Sequence, residues 1–319
     1  MNHKKYGSSM PLFLLCMGLL FWNCKSDPKK AEVSSDPEPE PEPTIEVVTN
    51  SMEFISPDTI PSGWNTFVYK NKSTEPHFIL LDKYPEGVTI ENTISEVAPI
   101  FEEGMQLIME GKNEAAMGAF GKLPEWFSEV VFSGGNGLIS PGLTATTTVN
   151  LSPGYYVMEC YVRMPDGRFH TSMGMAKELI VTDSVSTVSP PSDYMDVQIS
   201  RQAGISWNGQ PKVGSNTFRV TFADQSPHEH FIGHDVNLVS VAPDADLEAL
   251  EAWMNWATPT GLMSSTLPEG FTFLGGANDS PGGTVQYFEA ELAPGQYAFI
   301  SEVPGSQAKG MLKTFLVSE

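Results

Sequence analysis

"GGNGLISPGLTATTTVNLSPGYYVMEC" (Gly134–Cys160) and "GGANDSPGGTVQYFEAELAPGQYAFIS" (Gly275–Ser301) are two versions of one pattern in a 319-residue chain. Each opens on Gly-Gly, runs through a Gly/Pro turn into an alternating strand, and turns at Pro-Gly into a second strand rich in aromatics. An earlier pair agrees in the same order: "GWNTFVYKNKSTEPHFILL" (Gly63–Leu81) with "GSNTFRVTFADQSPHEHFIGH" (Gly214–His234). Both copies close on Gly-Met and an apolar strand, "GMAKELIV" and "GMLKTFLV". Agreement kept in order across both halves marks an internal duplication. It aligns His77 with His230, Cys160 with Ser301, His170 with about Ser306, and Met175 with Met311.

Each copy reads as mostly β. "TATTTVNL" alternates and is rich in β-branched residues, and the period of two puts Tyr156, Met158, Cys160 and Val162 on one face with Glu159 on the other. Tyr297, Phe299 and Ser301 take the matching face of the second copy. Short strands between Gly/Pro turns predict β-sandwiches. Helical excursions interrupt them. "SEVAPIFEEGMQLIMEG" and "LPEWFSEVVF" predict two helices in the first copy; in the second, Asp246 caps a helix carrying Leu247, Leu250, Trp253 and Met254.

The segments before the repeats set the compartment. Lys4 and Lys5 precede an apolar run, Met10–Trp22, too short to span a bilayer and of signal-peptide length. It ends at Cys24, which resembles the lipidated cysteine of a bacterial lipoprotein. The expectation is a signal peptide over 1–23 and a Pro/Glu-rich tether over 24–43. A first domain over 44–183, a Ser/Pro-rich linker over 184–195 and a second domain over 196–319 follow. The location expected is the cell envelope, lipid-anchored to a membrane and facing the periplasm or the exterior. With Cys16 removed and Cys24 lipidated, Cys160 is left as a lone thiol in an oxidising compartment. The net charge of −21 excludes a nucleic-acid partner and favours basic ones.

A lone exported thiol needs burial, a metal or reactivity to explain it. Two imidazoles and a thiolate in a trigonal set, with a weak axial thioether, form a mononuclear blue-copper centre. His77, Cys160, His170 and Met175 supply that set in order, one ligand from an earlier strand and three from one strand-loop-strand unit. "PGYYVMEC", His170-TSMG-Met175 and the closing "AKELIV" resemble the cupredoxin family. The resemblance covers both repeats and implies two cupredoxin-like (Greek-key) β-sandwiches with helical insertions. It implies one copper in the first, none in the second, and electron transfer to a basic redox partner.

The nine residues between Cys160 and His170 are more like the type 1 site of copper nitrite reductases, which are also tandem cupredoxins. The enzyme reading fails on residues, because Glu159 and Asp82 stand where the catalytic copper needs histidines. The His-Cys-His run of multicopper oxidases is absent too. The alternative is a metal-free binding or structural module with Cys160 as a core residue, its "YVRMPDGRFH" loop charged by Arg163, Asp166 and Arg168. His228, His230 and His234 read as a solvated turn before a Zn or Cu site. Met164, Met173 and Met175, beside Met105, Met109 and Met117, read as gap-filling core before a thioether cluster.

Overall fold

A computed structural model describes residues 43–229 and 232–319. The signal peptide, Cys24 and nearly all of the tether lie outside the described residues, as does His230.

The class is mainly β, as expected. The first copy contributes β1 (Thr44–Thr49), β2 (Thr59–Asn71), β3 (Leu80–Lys83), β4 (Val131–Phe132), β5 (Thr144–Leu151), β6 (Gly154–Glu159) and β7 (Ala176–Val185). The second contributes β8 (Met195–Ser200), β9 (Gly204–Trp207), β10 (Gly214–Phe222), β11 (Val236–Val241), β12 (Phe271–Ala277), β13 (Val285–Leu292), β14 (Gly295–Ile300) and β15 (Leu312–Val317).

β2 belongs to both layers of the first copy. Thr59–Pro61 runs parallel to β7, whereas Gly63–Lys70 pairs antiparallel with β5. The strand changes sheet at Gly63, whose φ of +88° favours glycine. Asn65 braces the bend by donating its amide to the carbonyls of Pro61 (2.9 Å) and Gly63 (3.0 Å). The second copy repeats the brace at Asn216, which donates to Lys212 and Gly214. The opposite layer of the first copy runs β7-β6-β3-β4; that of the second runs β12-β11-β14-β15.

The copies share a sheet. β5 pairs antiparallel with β13, so β1-β2-β5-β13-β10-β8-β9 is continuous. Thr147 faces Phe288 in that pairing, and the two are the same position of the repeat. The Gly-Gly segments meet in the same symmetric manner, Asn136 opposite Ala277. There the Gly275 amide donates to the Leu138 carbonyl (2.8 Å), and Asn278 to Gly135 (3.1 Å).

The alternation on β6 gives the expected inward face: Tyr156, Met158, Cys160 and Val162 are all buried. Val157 on the other face is buried as well, because the sheet is covered on both sides.

The helical excursion differs in part from the sequence expectation. A helix forms over Ala98–Met109, but Glu125–Glu129 is a 3-10 turn, and Val131–Phe132 then pairs with the β3 edge. β-branched Val130 and Val131 favour that extended pairing over another helical turn. The second helix is Asn113–Phe120 instead.

In the second copy the expected cap is present: Asp246 accepts from the amides of Glu248 (3.0 Å) and Ala249 (3.2 Å), starting the helix Leu247–Met254. Asp246→Ala removes this partner and is expected to cost about 1 kcal/mol, read as a lower urea midpoint with an unchanged slope.

Candidate metal centre

Three elements deliver the donors. His77 precedes β3 and is held by paired backbone bonds to Ile139, its amide donating at 3.2 Å and its carbonyl accepting at 2.8 Å. Cys160 directly follows β6, and Met175 directly precedes β7. Their backbones join where the Cys160 amide donates to the Met175 carbonyl (3.3 Å). His170 closes the ring: its amide donates to Val162 (2.8 Å), and its carbonyl accepts from Met175 (3.0 Å). The tight return from His170 to Met175 needs a left-handed residue, and Gly174 supplies it with φ +105°.

The side chains converge. His77 Nδ1 and His170 Nδ1 are 3.1 Å apart, and Cys160 Sγ lies 3.7 Å from the first and 3.9 Å from the second. A metal with bonds of about 2.0–2.1 Å to nitrogen and about 2.3 Å to sulfur, in a trigonal plane, spaces such donors roughly 3.5 Å (N to N) and roughly 3.8 Å (N to S). The fit is close. These three residues form the one metal-suited group of three or more His, Cys, Asp or Glu among the described residues. Both imidazoles, the thiol and Met175 are fully buried.

Burial sets the protonation states. It lowers His77 to about 4 and His170 to about 3, with a smaller push on His170 from the neighbouring ring, so both are neutral near pH 7. Burial also pushes the Cys160 thiol up to about 12, against the pull of the Phe78 and Val162 amides on the sulfur. His170 Nε2 lies 3.1 Å from Glu75 Oε2, close but not aligned as a hydrogen bond, and His77 Nε2 is buried without a hydrogen-bond partner. A proton held on His170 Nε2 beside that carboxylate leaves Nδ1 bare toward the sulfur.

The second copy keeps the frame without the donors. Ser301 donates its amide to Met311 (3.0 Å), and Met311 donates to Ser306 (2.6 Å), matching Cys160, Met175 and His170. Strand register corrects one correspondence. Leu80 faces Glu159, and Asn237 faces Ile300, the counterpart of Glu159. Three residues before Leu80 is His77; three before Asn237 is His234, not His230. His234 is fully buried, its Nδ1 3.1 Å from His228 Nε2 and its Nε2 2.8 Å from the Asp224 carbonyl oxygen. His228 is buried too, so this pair is not the solvated turn the sequence suggested.

The ligand loop departs from expectation as well. Asp166 and Arg168 pair at the surface (2.8 Å), but Arg163 is fully buried and stands among the largest such side chains. Nothing in its local sequence distinguishes it from Arg168. Asp82 and Glu159 lie close together on β3 and β6, and burial, with each other's charge, raises the Asp82 carboxyl well above the usual range.

No family model matches the chain, and no curated protein matches it. Among solved structures it is similar to Na-dithionite-reduced auracyanin from the photosynthetic bacterium Roseiflexus castenholzii: 24% identity, 44% of this chain, 96% of that one, TM-score 0.25. It is similar to auracyanin A, a blue copper protein from Chloroflexus aurantiacus, with 22% identity, 44% and 98% coverage, and TM-score 0.26. A multicopper oxidase aligns at 15% identity over 86% of this chain and 88% of its own, TM-score 0.22. At such scores the chemistry rests on the geometry of the site itself.

Proposed function

We propose that this chain is an exported copper protein that holds one ion in its first copy, through His77, Cys160, His170 and axial Met175, for one-electron transfer or copper handling. The observation that carries the reading is the buried convergence of two imidazole nitrogens and a thiol sulfur at 3.1–3.9 Å. Copper in such a set supplies a one-electron couple, with a soft thiolate suited to Cu(I) and imidazoles suited to both states. The residues do the rest. Neutral imidazoles present lone pairs at neutral pH, two backbone amides support the thiolate, and complete burial keeps water out.

A buried carboxyl at Asp82 and a half-buried one at Glu159, rather than histidines, favour a carrier over an enzyme. The apolar run ending at Cys24 supports a lipid anchor holding the body at the cell envelope. The charge of −21 supports a basic redox partner.

Titration of the purified protein with Cu(II) tests the reading. One equivalent should bind with an intense visible thiolate-to-copper band. Near pH 7 binding should release about one proton, from Cys160 alone, because the imidazoles are already neutral. Affinity should therefore fall about tenfold per pH unit on acidification, and more steeply below about pH 4, where His77 takes up a proton, and again below about 3, where His170 does. Calorimetry in buffers of different ionisation enthalpy counts the proton. Colourless protein that binds no stoichiometric copper ends the proposal in favour of a metal-free module.

A further inference from the structure

The loop from Tyr161 to Phe169 separates two donors, and nine residues of hairpin would by themselves leave His170 poorly fixed. The loop is fastened instead to the second copy. The Arg163 amide donates to the Leu262 carbonyl (2.7 Å), and the Ser264 amide donates to the Arg163 carbonyl (3.0 Å). The Arg163 guanidinium then enters a cradle of backbone oxygens. Nη1 donates to Trp256 (3.0 Å), Thr258 (2.6 Å) and Gly261 (2.9 Å), Nη2 to Pro259 (3.4 Å), and Nε back to Gly167 in its own hairpin (3.3 Å).

No carboxylate pairs with Arg163 among the described ion pairs, so carbonyl dipoles, with the Met109 sulfur 3.1 Å from Nη2, hold this buried cation. Such an arrangement survives only where each donor is satisfied. The cradle is itself strained. Leu262, buried and next to Gly261, has φ +45° and is the only described non-glycine residue with positive φ. Strain of this kind persists only where the surroundings over-determine it.

We propose that Arg163 is a positioning residue for the metal centre, and that the second copy, which lacks the donors, serves to fix the ligand loop of the first. This rests on the copper reading above. From Arg163 the connection to the donors is short: Val162, its neighbour, accepts the His170 amide and directs its own amide at Cys160 Sγ. Lysine cannot replace the fork, since one ammonium cannot reach four carbonyls spread in different directions.

The test uses the full chain with Arg163→Met, Arg163→Lys and Gly261→Ala. A Cβ at position 261 would sit 1.7 Å from the Asn255 carbonyl oxygen, so the last substitution distorts the cradle from the other copy. Val220→Ala, in the core on β10, serves as a control for lost stability. All three test variants should still bind copper but shift the visible and EPR signature of the thiolate site in the same direction. Arg163→Met combined with Gly261→Ala should go no further than either alone.

In metal-free protein, Cys160 should react with a thiol reagent roughly tenfold faster in Arg163→Met, because local opening is easier, and at near the wild-type rate in Val220→Ala. If the Arg163 variants match Val220→Ala in spectrum and thiol rate once stability loss is equal, the positioning role is wrong. If wild-type protein binds no copper, the copper reading fails, and the thiol rate alone decides whether Arg163 fastens the loop.

Discussion

Cys160→Ser should abolish the visible band and weaken copper binding by roughly 10²–10³-fold, taking the thiolate's share as about a quarter of a binding free energy of about 10–16 kcal/mol. The fold should survive. The second copy already carries serine at this position, where Ser301 Oγ accepts the Asp235 amide (3.1 Å) and donates to the Asp235 carboxylate (2.9 Å). Position 235 corresponds to Phe78, whose amide is directed at Cys160 Sγ. A hydroxyl at 160 therefore inherits a donor, and the expected stability loss is only about 1–2 kcal/mol. His234→Ala, at the counterpart of His77, should leave the copper spectrum unchanged. Retention of the band in Cys160→Ser would remove the sulfur from the donor set and with it the basis of the electron-transfer reading.

That comparison shows where the sequence was legible. The duplication was visible because Gly-Gly, Pro-Gly and Gly-Met punctuate both copies, and those residues mark turns that tolerate few alternatives. The three buried donors were visible because the chemistry demands particular residue types in a particular order. The His77–His234 correspondence was not. Aligning "PHF" with the "EHF" at His230 costs nothing in sequence, whereas pairing Asn237 with Ile300 fixes the register in space.

Arg163 was illegible for another reason. Its partners in the second copy are carbonyl oxygens at Trp256, Thr258, Pro259 and Gly261, about a hundred residues away, and backbone oxygens leave no mark on side-chain identity. The alternation places Glu159 on the face opposite Cys160. It is half-buried, beside Val157, which is fully buried on the same face, because that face of the sheet is covered too, and a period of two along one strand cannot reveal this.

The Gly-Gly segments carry the largest expected stability effect, and they separate fold from site. Gly135 has φ +139°, and a Cβ there would lie 2.1 Å from the Ile79 carbonyl oxygen. Gly276, the same position of the repeat, has φ +151°, with a Cβ 2.0 Å from the Val236 carbonyl oxygen. Both obstacles are backbone, so neither can yield by a rotamer change, and each also requires a conformation that disfavours L-residues.

Gly135→Ala and Gly276→Ala should each lower stability by about 3 kcal/mol or more, measured as denaturant midpoints. Their effects on copper should differ. Ile79 is two residues from His77, and its amide is tied to the Asn136 carbonyl (3.1 Å), so displacing it disturbs a donor. Val236 is two residues from His234, which faces no thiol because its counterpart to Cys160 is Ser301. Equal destabilisation, with weakened copper binding only in Gly135→Ala, is the expected result. A native midpoint in either variant would contradict the close backbone approach within that copy.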